Sequence, residues 1–121
     1  GKLSALCGCV VASTGSAFRI TYLMGVGYKQ EAYSVKTMLA NLAAMVCDGA
    51  KPACALKVTS GVSTAVLSAM LAIQNRHATN AEGLIEDDVD HCIRHLTRIG
   101  ASGMNETDRM VLDIMTHKSC K

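Results

Sequence analysis

Tryptophan is missing from this sequence, phenylalanine and proline occur once each, and aromatic residues make up only 3% of it. A β-sandwich core draws heavily on aromatic and β-branched side chains, so that architecture is disfavoured. Scarce proline also removes the commonest interruption of helices. What remains is a chain of 121 residues, half of them apolar, whose core must come from Ala, Val, Leu, Ile and seven Met. Small and flexible apolar side chains suit closely packed helices. The fold class read from this composition is all-α, in a single helical domain over residues 1–121 with one core.

An excess of charge of one sign is lacking too. Twelve Lys and Arg stand against ten Asp and Glu, for a net charge of +2, and they form no run or stripe. The clustered cationic face of a nucleic-acid binder is absent, and nucleic acid is not an expected partner. No signal-peptide layout precedes the six cysteines, which lie within apolar helical stretches. A reducing compartment, the cytoplasm, fits this better than a secreted disulfide framework. The long uncharged run from Val58 to Asn75 holds Thr59, Ser60, Ser63, Thr64, Ser68, Gln74 and Asn75, too many polar groups for a membrane span. It reads as a buried central helix. The opening Gly1 and the apolar run close behind it suggest an engineered segment, a processed product or a stable fragment of something longer.

Five helices can be drawn, packed around that central apolar one. The first runs from about Leu3 to Met24, where Gly8, Ser13, Gly15 and Ser16 would let a neighbouring backbone come close, and Gly25 and Gly27 end it. The second runs from about Gln30 to Val46, with Ala32, Val35, Met38, Leu39, Leu42, Met45 and Val46 recurring at helical spacing. After Asp48-Gly49-Ala50-Lys51-Pro52, the third spans about Ala53 to Asn75. A polar loop leads to a fourth from about Asp87 to Ile99, with Val89, Cys92, Ile93 and Leu96 on one face. Asn105 would cap a fifth, with Met110, Val111, Ile114 and Met115 as a buried stripe.

Chemistry concentrates in Cys47-Asp48-Gly49-Ala50-Lys51-Pro52-Ala53-Cys54. Cys47 closes one helix and Cys54 opens the next, so a tight loop gathers two thiols. The N-terminus of the third helix, with its free N–H groups, and the nearby Lys51 and Lys57 favour thiolate, the form that binds metal. Two ordinary cysteines flanking a turn are an equally weighted reading, since the spacing matches no common zinc pattern. A short turn makes the first two helices antiparallel, which returns Cys47 to the level of Cys7 and Cys9. Those two point opposite ways on a helix, so one of them could join Cys47 and Cys54. Cys92 reads as core, Cys120 as a tail residue without a role, and His91 and His95 as a solvated face.

Leu6-Cys7-Gly8-Cys9, Thr21-Tyr22-Leu23-Met24-Gly25, Cys47 through Lys57 and Ser60-Gly61-Val62-Ser63-Thr64-Ala65 closely resemble the L-cysteine desulfidase-like family. That family is related to the α-chain of iron–sulfur L-serine dehydratases. The resemblance extends from Ile99 through Gly103, Asp108 and Met115. It implies the C-terminal, cluster-binding part of a longer enzyme, with a four-iron, four-sulfur cluster on Cys7, Cys47 and Cys54, Cys9 being the alternative third ligand. It implies a β-elimination on a small L-amino acid such as L-cysteine or L-serine, giving pyruvate and ammonia. Lys51 or Lys57 would hold the substrate carboxylate, and a solvated lysine near a turn is the competing reading of each. No general base is found in this chain, so the N-terminal remainder of the enzyme is an expected partner, a homodimer stays open, and the chain alone is expected to be inactive.

Three rivals use the same residues differently. A pyridoxal-phosphate lyase would take Lys51 or Lys57 as its Schiff base, but the chain lacks a Gly-rich strand–turn–helix phosphate site. The others are a helical metal-binding or redox-sensing module and a plain structural domain.

Overall fold

In a computed structural model, residues 6–43 and 45–118 are described. The expected helix start at Leu3, the helical assignment of Ala44 and the tail thiol Cys120 lie outside them. The fold is all-α, as composition implied: α1 (Gly8–Leu23), α2 (Tyr28–Leu42), α3 (Cys54–Ile73), α4 (Val89–Arg98) and α5 (Asn105–His117), with a π-helical segment Ile99–Gly103 between the last two. Among the described residues the β-structure is a single antiparallel bridge, Leu6 to Val46.

α1, α2 and α3 pack on one another, and α4 lies against α2. Val10, Ala17, Val35, Met38, Leu39, Leu42 and Ala65 fill the shared core, joined by Val89, Cys92 and Leu96 from α4. Met38 and Val10 are completely buried, each stabilising the fold by about 1.5–3 kcal/mol. The close helix contact is made at Ser13 of α1 and Gly61 of α3, where an added Cβ would sit 2.8 Å from Cys9 Sγ. Gly8 and Gly15, expected to serve this purpose, face open space.

Several expectations are corrected. α1 begins at Gly8 because Cys7 is still extended, with φ −66 and ψ 128. α2 ends at Leu42, so Met45 and Val46 leave its stripe, Val46 pairing instead with Leu6. α3 is buried along one side only, through Gly61, Ala65, Ser68, Ala69 and Ala72. Its small residues meet α1 and α2, and its bulky residues point away. α5 has no buried residue: Met110, Ile114 and Met115 are exposed, since the helix touches little beyond the π-helical segment and the cysteine loop. Asn105 is the first helical residue rather than a cap, and Met104 in the cap position makes no side-chain hydrogen bond.

Candidate functional site

The site begins where the entry to α1 meets the exit from α2. Leu6 pairs with Val46, and the Cys7 N–H donates to Met45 O at 3.0 Å. Cys7, a buried free thiol, therefore sits beside the segment that leads into Cys47, itself a half-buried free thiol. The antiparallel return of α2 expected from the short turn is what brings them together.

The loop then folds back on itself. Asp48 pairs with Lys51 and, at 3.1 Å, with Lys57. Gly49 has φ +94, a conformation that only glycine adopts cheaply, and the Met115 methyl lies where a Cβ would stand. Cys54 opens α3, its thiol 3.7 Å from Gly49 O. The N–H groups of Cys54, Ala55 and Leu56 donate to the carbonyls of Lys51, Pro52 and Ala53. They are therefore taken up by the turn rather than free as expected, and the favourable end of the helix dipole remains.

Lys57, one turn into α3, ties these parts together. Its ammonium donates to Val46 O at 2.8 Å and to Asp48 Oδ1 at 3.1 Å. Its pKa is raised above the usual lysine value, chiefly by the Asp48 hydrogen bond and further by the Asp48, Cys7 and Cys54 charges, against the opposing effect of burial. Asp48 is lowered to about 2, first by its hydrogen bond from Lys51 and then by that from Lys57. Cys7 and Cys54 thus lie within the field of one cation, and Cys47 adjoins both of that cation's partners. Among the described residues, no three His, Cys, Asp or Glu side chains form a group that could hold a metal. The thiols lie on the bridge and the loop that Lys57 ties together, without forming a ready-made ligand set.

Cys9 is placed differently. Its thiol donates to Lys57 O at 3.1 Å and lies 3.4 Å from Ser13 Oγ, pressed against Gly61 in the α1–α3 contact. Its proton is engaged in that contact. Cys92 is core as expected, receiving the Glu86 N–H at 3.2 Å. His91 and His95, read as a solvated face, both approach the Glu86 carboxylate, and His95 Nδ1 donates to Leu84 O at 3.1 Å. They fasten the preceding loop to α4.

Sequence reasoning missed two contributors. Asp48 anchors both lysines, and its i,i+3 spacing to Lys51 was the available signal. Met115 covers Gly49 from far along the chain, and no local pattern announces it. Beside the loop, Asp48, Lys51, Val111, Ile114, Met115 and Lys118 border an open cleft of about 500 Å³.

A family model described as the serine dehydratase alpha chain matches residues 1–113. Among curated relatives, a UPF0597 protein of Bacteroides fragilis is 69% identical over 120 residues, 99% of this chain and 28% of the relative. One from Bacteroides thetaiotaomicron is 68% identical over 118 residues, 98% of this chain and 28% of the relative. One from Porphyromonas gingivalis is 54% identical, covering 98% of this chain and 27% of the relative. The chain thus spans little more than a quarter of the length of these relatives. No solved structure matches it.

Proposed function

The chain belongs to the serine dehydratase alpha-chain family, and from this premise we propose that it is the thiol-bearing part of a lyase that eliminates the β-substituent of a small L-amino acid, such as L-cysteine or L-serine. The β-substituent leaves as sulfide from cysteine or as water from serine, and hydrolysis of the resulting enamine gives pyruvate and ammonia. The observation that carries the reading is Lys57: one ammonium joins the Leu6–Val46 bridge to the Asp48 loop, with Cys7 and Cys54 in its field.

By donor type, though not by the spacing of the thiols in this structure, the residues suit an iron–sulfur cluster. Cys7, Cys47 and Cys54 are free soft thiols, and Lys57 with the α3 dipole would offset the negative charge of thiolates and sulfides. These three residues would hold the cluster. A four-iron, four-sulfur cluster there would supply an open iron as a Lewis acid toward the β-thiol or β-hydroxyl.

The rest falls to the protein. Lys57 is already shared by Val46 O and Asp48, so its role is to keep the thiols and their loop together. Lys51 borders the cleft and, among the described residues, is ion-paired with Asp48 alone. It is the better placed of the two to receive a substrate carboxylate, which would compete with Asp48. The apolar wall of Val111, Ile114 and Met115 would limit water at the bound side chain. The α-proton would be removed by a base outside this chain, in the remainder of the polypeptide.

The full-length polypeptide, prepared anaerobically, should contain iron and acid-labile sulfide and release pyruvate from L-cysteine or L-serine. Cluster-loaded protein that releases pyruvate from neither would overturn the assignment.

A further inference from the structure

α3 is long and apolar enough to cross a membrane, yet only 28% of its apolar window is buried. Its buried stripe of Gly61, Ala65, Ser68, Ala69 and Ala72 faces α1 and α2. On the opposite side Leu56, Val66, Leu67 and Met70 stand in solvent, Leu56 at 71% exposure and Met70 at 53%. No charged residue occurs between Val58 and Asn75. Soluble proteins rarely leave such a contiguous apolar face open, and one of this kind marks a contact surface.

We infer that this face of α3 is the seam on which the remainder of the same polypeptide packs, so that α3 becomes an interior helix of the complete protein. The chain makes up 28% of its relatives' length, so the same molecule holds ample chain to cover the face. Both threonine hydroxyls on this helix are already provided for: Thr59 Oγ1 donates to Ala55 O at 3.0 Å and Thr64 Oγ1 to Ser60 O at 2.8 Å. Covering them adds little desolvation cost. An uncharged face whose threonine hydroxyls are already bonded to its own backbone suits a protein interior, where apolar side chains pack at crystal-like density. It does not suit an acidic or basic partner, which would need opposite charges to meet.

The seam reaches the candidate site. Leu56 lies two residues beyond Cys54, so whatever covers the first turn of α3 also borders the cysteine loop. Resting on the elimination reading above, this covering segment is the part of the molecule positioned to supply the missing base.

The test needs no substitution and no substrate. Met70 is a native reporter on the seam, and its sulfoxide is read by mass spectrometry after brief peroxide treatment. In the full-length protein Met70 should oxidise roughly tenfold or more slowly than in the urea-unfolded chain. Oxidation at close to the unfolded rate would overturn the inference. So would protection that is lost on dilution, which would mean a second copy, or protection that requires phosphatidylcholine vesicles, which would mean lipid. Because the readout ignores catalysis, Met70 protection and pyruvate release can fail independently. A protected Met70 in an inactive protein would leave the seam standing and remove the elimination.

Discussion

Lys57 Nζ donates to Val46 O at 2.8 Å, fastening the first turn of α3 to the bridge that joins the entry of α1 to the exit of α2. Since the same ammonium holds Asp48, a single side chain spans the loop from one side to the other. A cation with these two partners is a strap before it is anything else. Burial opposes the charge, and the hydrogen bond with Asp48 outweighs that opposition.

Replacing Lys57 by Met should therefore release the loop without unfolding the helices. Hydrogen exchange at Cys54, Ala55 and Leu56, whose N–H groups are held by Lys51 O, Pro52 O and Ala53 O, is expected to quicken by roughly tenfold, with the α1–α2 core unchanged. Lys57→Arg, which keeps a charged donor, should recover most of the protection. Equal exchange in the parent and Lys57→Met would show that the loop is held by other contacts.

The two thiols near the start of α1 should separate cleanly. Cys9 already donates to Lys57 O, a contact a serine hydroxyl can keep, while Cys7 lies by the bridge in the field of Lys57. Full-length Cys9→Ser, reconstituted anaerobically, should keep its iron and sulfide. Cys7→Ser, Cys47→Ser and Cys54→Ser should each lose most of theirs, because a neutral hydroxyl is a poor soft-metal ligand. Iron retained in Cys7→Ser but lost in Cys9→Ser would reverse the assignment.

Much of this was legible beforehand, and the failures share a cause. Helix number and order followed from apolar spacing and from the Gly and Pro punctuation at Gly25, Gly49 and Pro52. The approach of Cys47 to Cys7 followed from one short turn. The extended stretch at Met45 and Val46 was not legible, because both continue the periodicity of α2 and only pairing with Leu6 reveals otherwise. The stripe of α5 and the outer side of α3 have the pattern of buried faces, yet they are open here. Pattern reports what a face is suited to meet, not whether the partner lies within the same stretch of chain. The anchoring of Lys51 and Lys57 by Asp48 depends on a loop conformation that Gly49 permits through its positive φ.

Acid should loosen the loop within a definite window. Asp48 is lowered from 3.8 to about 2 by Lys51 first and Lys57 second. Its carboxylate is favoured more in the folded than in the unfolded chain, so its contribution is fully present above about pH 4. That contribution is lost as pH falls from there through about 2. Loop hydrogen exchange, corrected for its intrinsic pH dependence, should rise across this range, and Asp48→Asn should remove the dependence. A loop whose protection is flat between pH 5 and pH 2, to take rough bounds, would deny Asp48 this role.

One substitution made at two glycines of the bundle should have opposite signs. Gly15, in the middle of α1, has open space where a Cβ would project, so Gly15→Ala should stabilise by about 0.5–1 kcal/mol through reduced freedom of the unfolded chain. Gly61, in the middle of α3, faces Ser13 and Cys9, and a methyl there would lie 2.8 Å from Cys9 Sγ. Neither neighbour is the far end of a flexible chain, and both belong to the α1 backbone contact. Gly61→Ala should force the two helices apart and destabilise by about 1–3 kcal/mol. The thiol of Cys9 would also lose its bond to Lys57 O, so the damage should spread to the strap at the cysteine loop. Urea unfolding of the two variants beside the parent measures both signs, and a Gly61→Ala protein as stable as the parent would mean that the α1–α3 approach is not close.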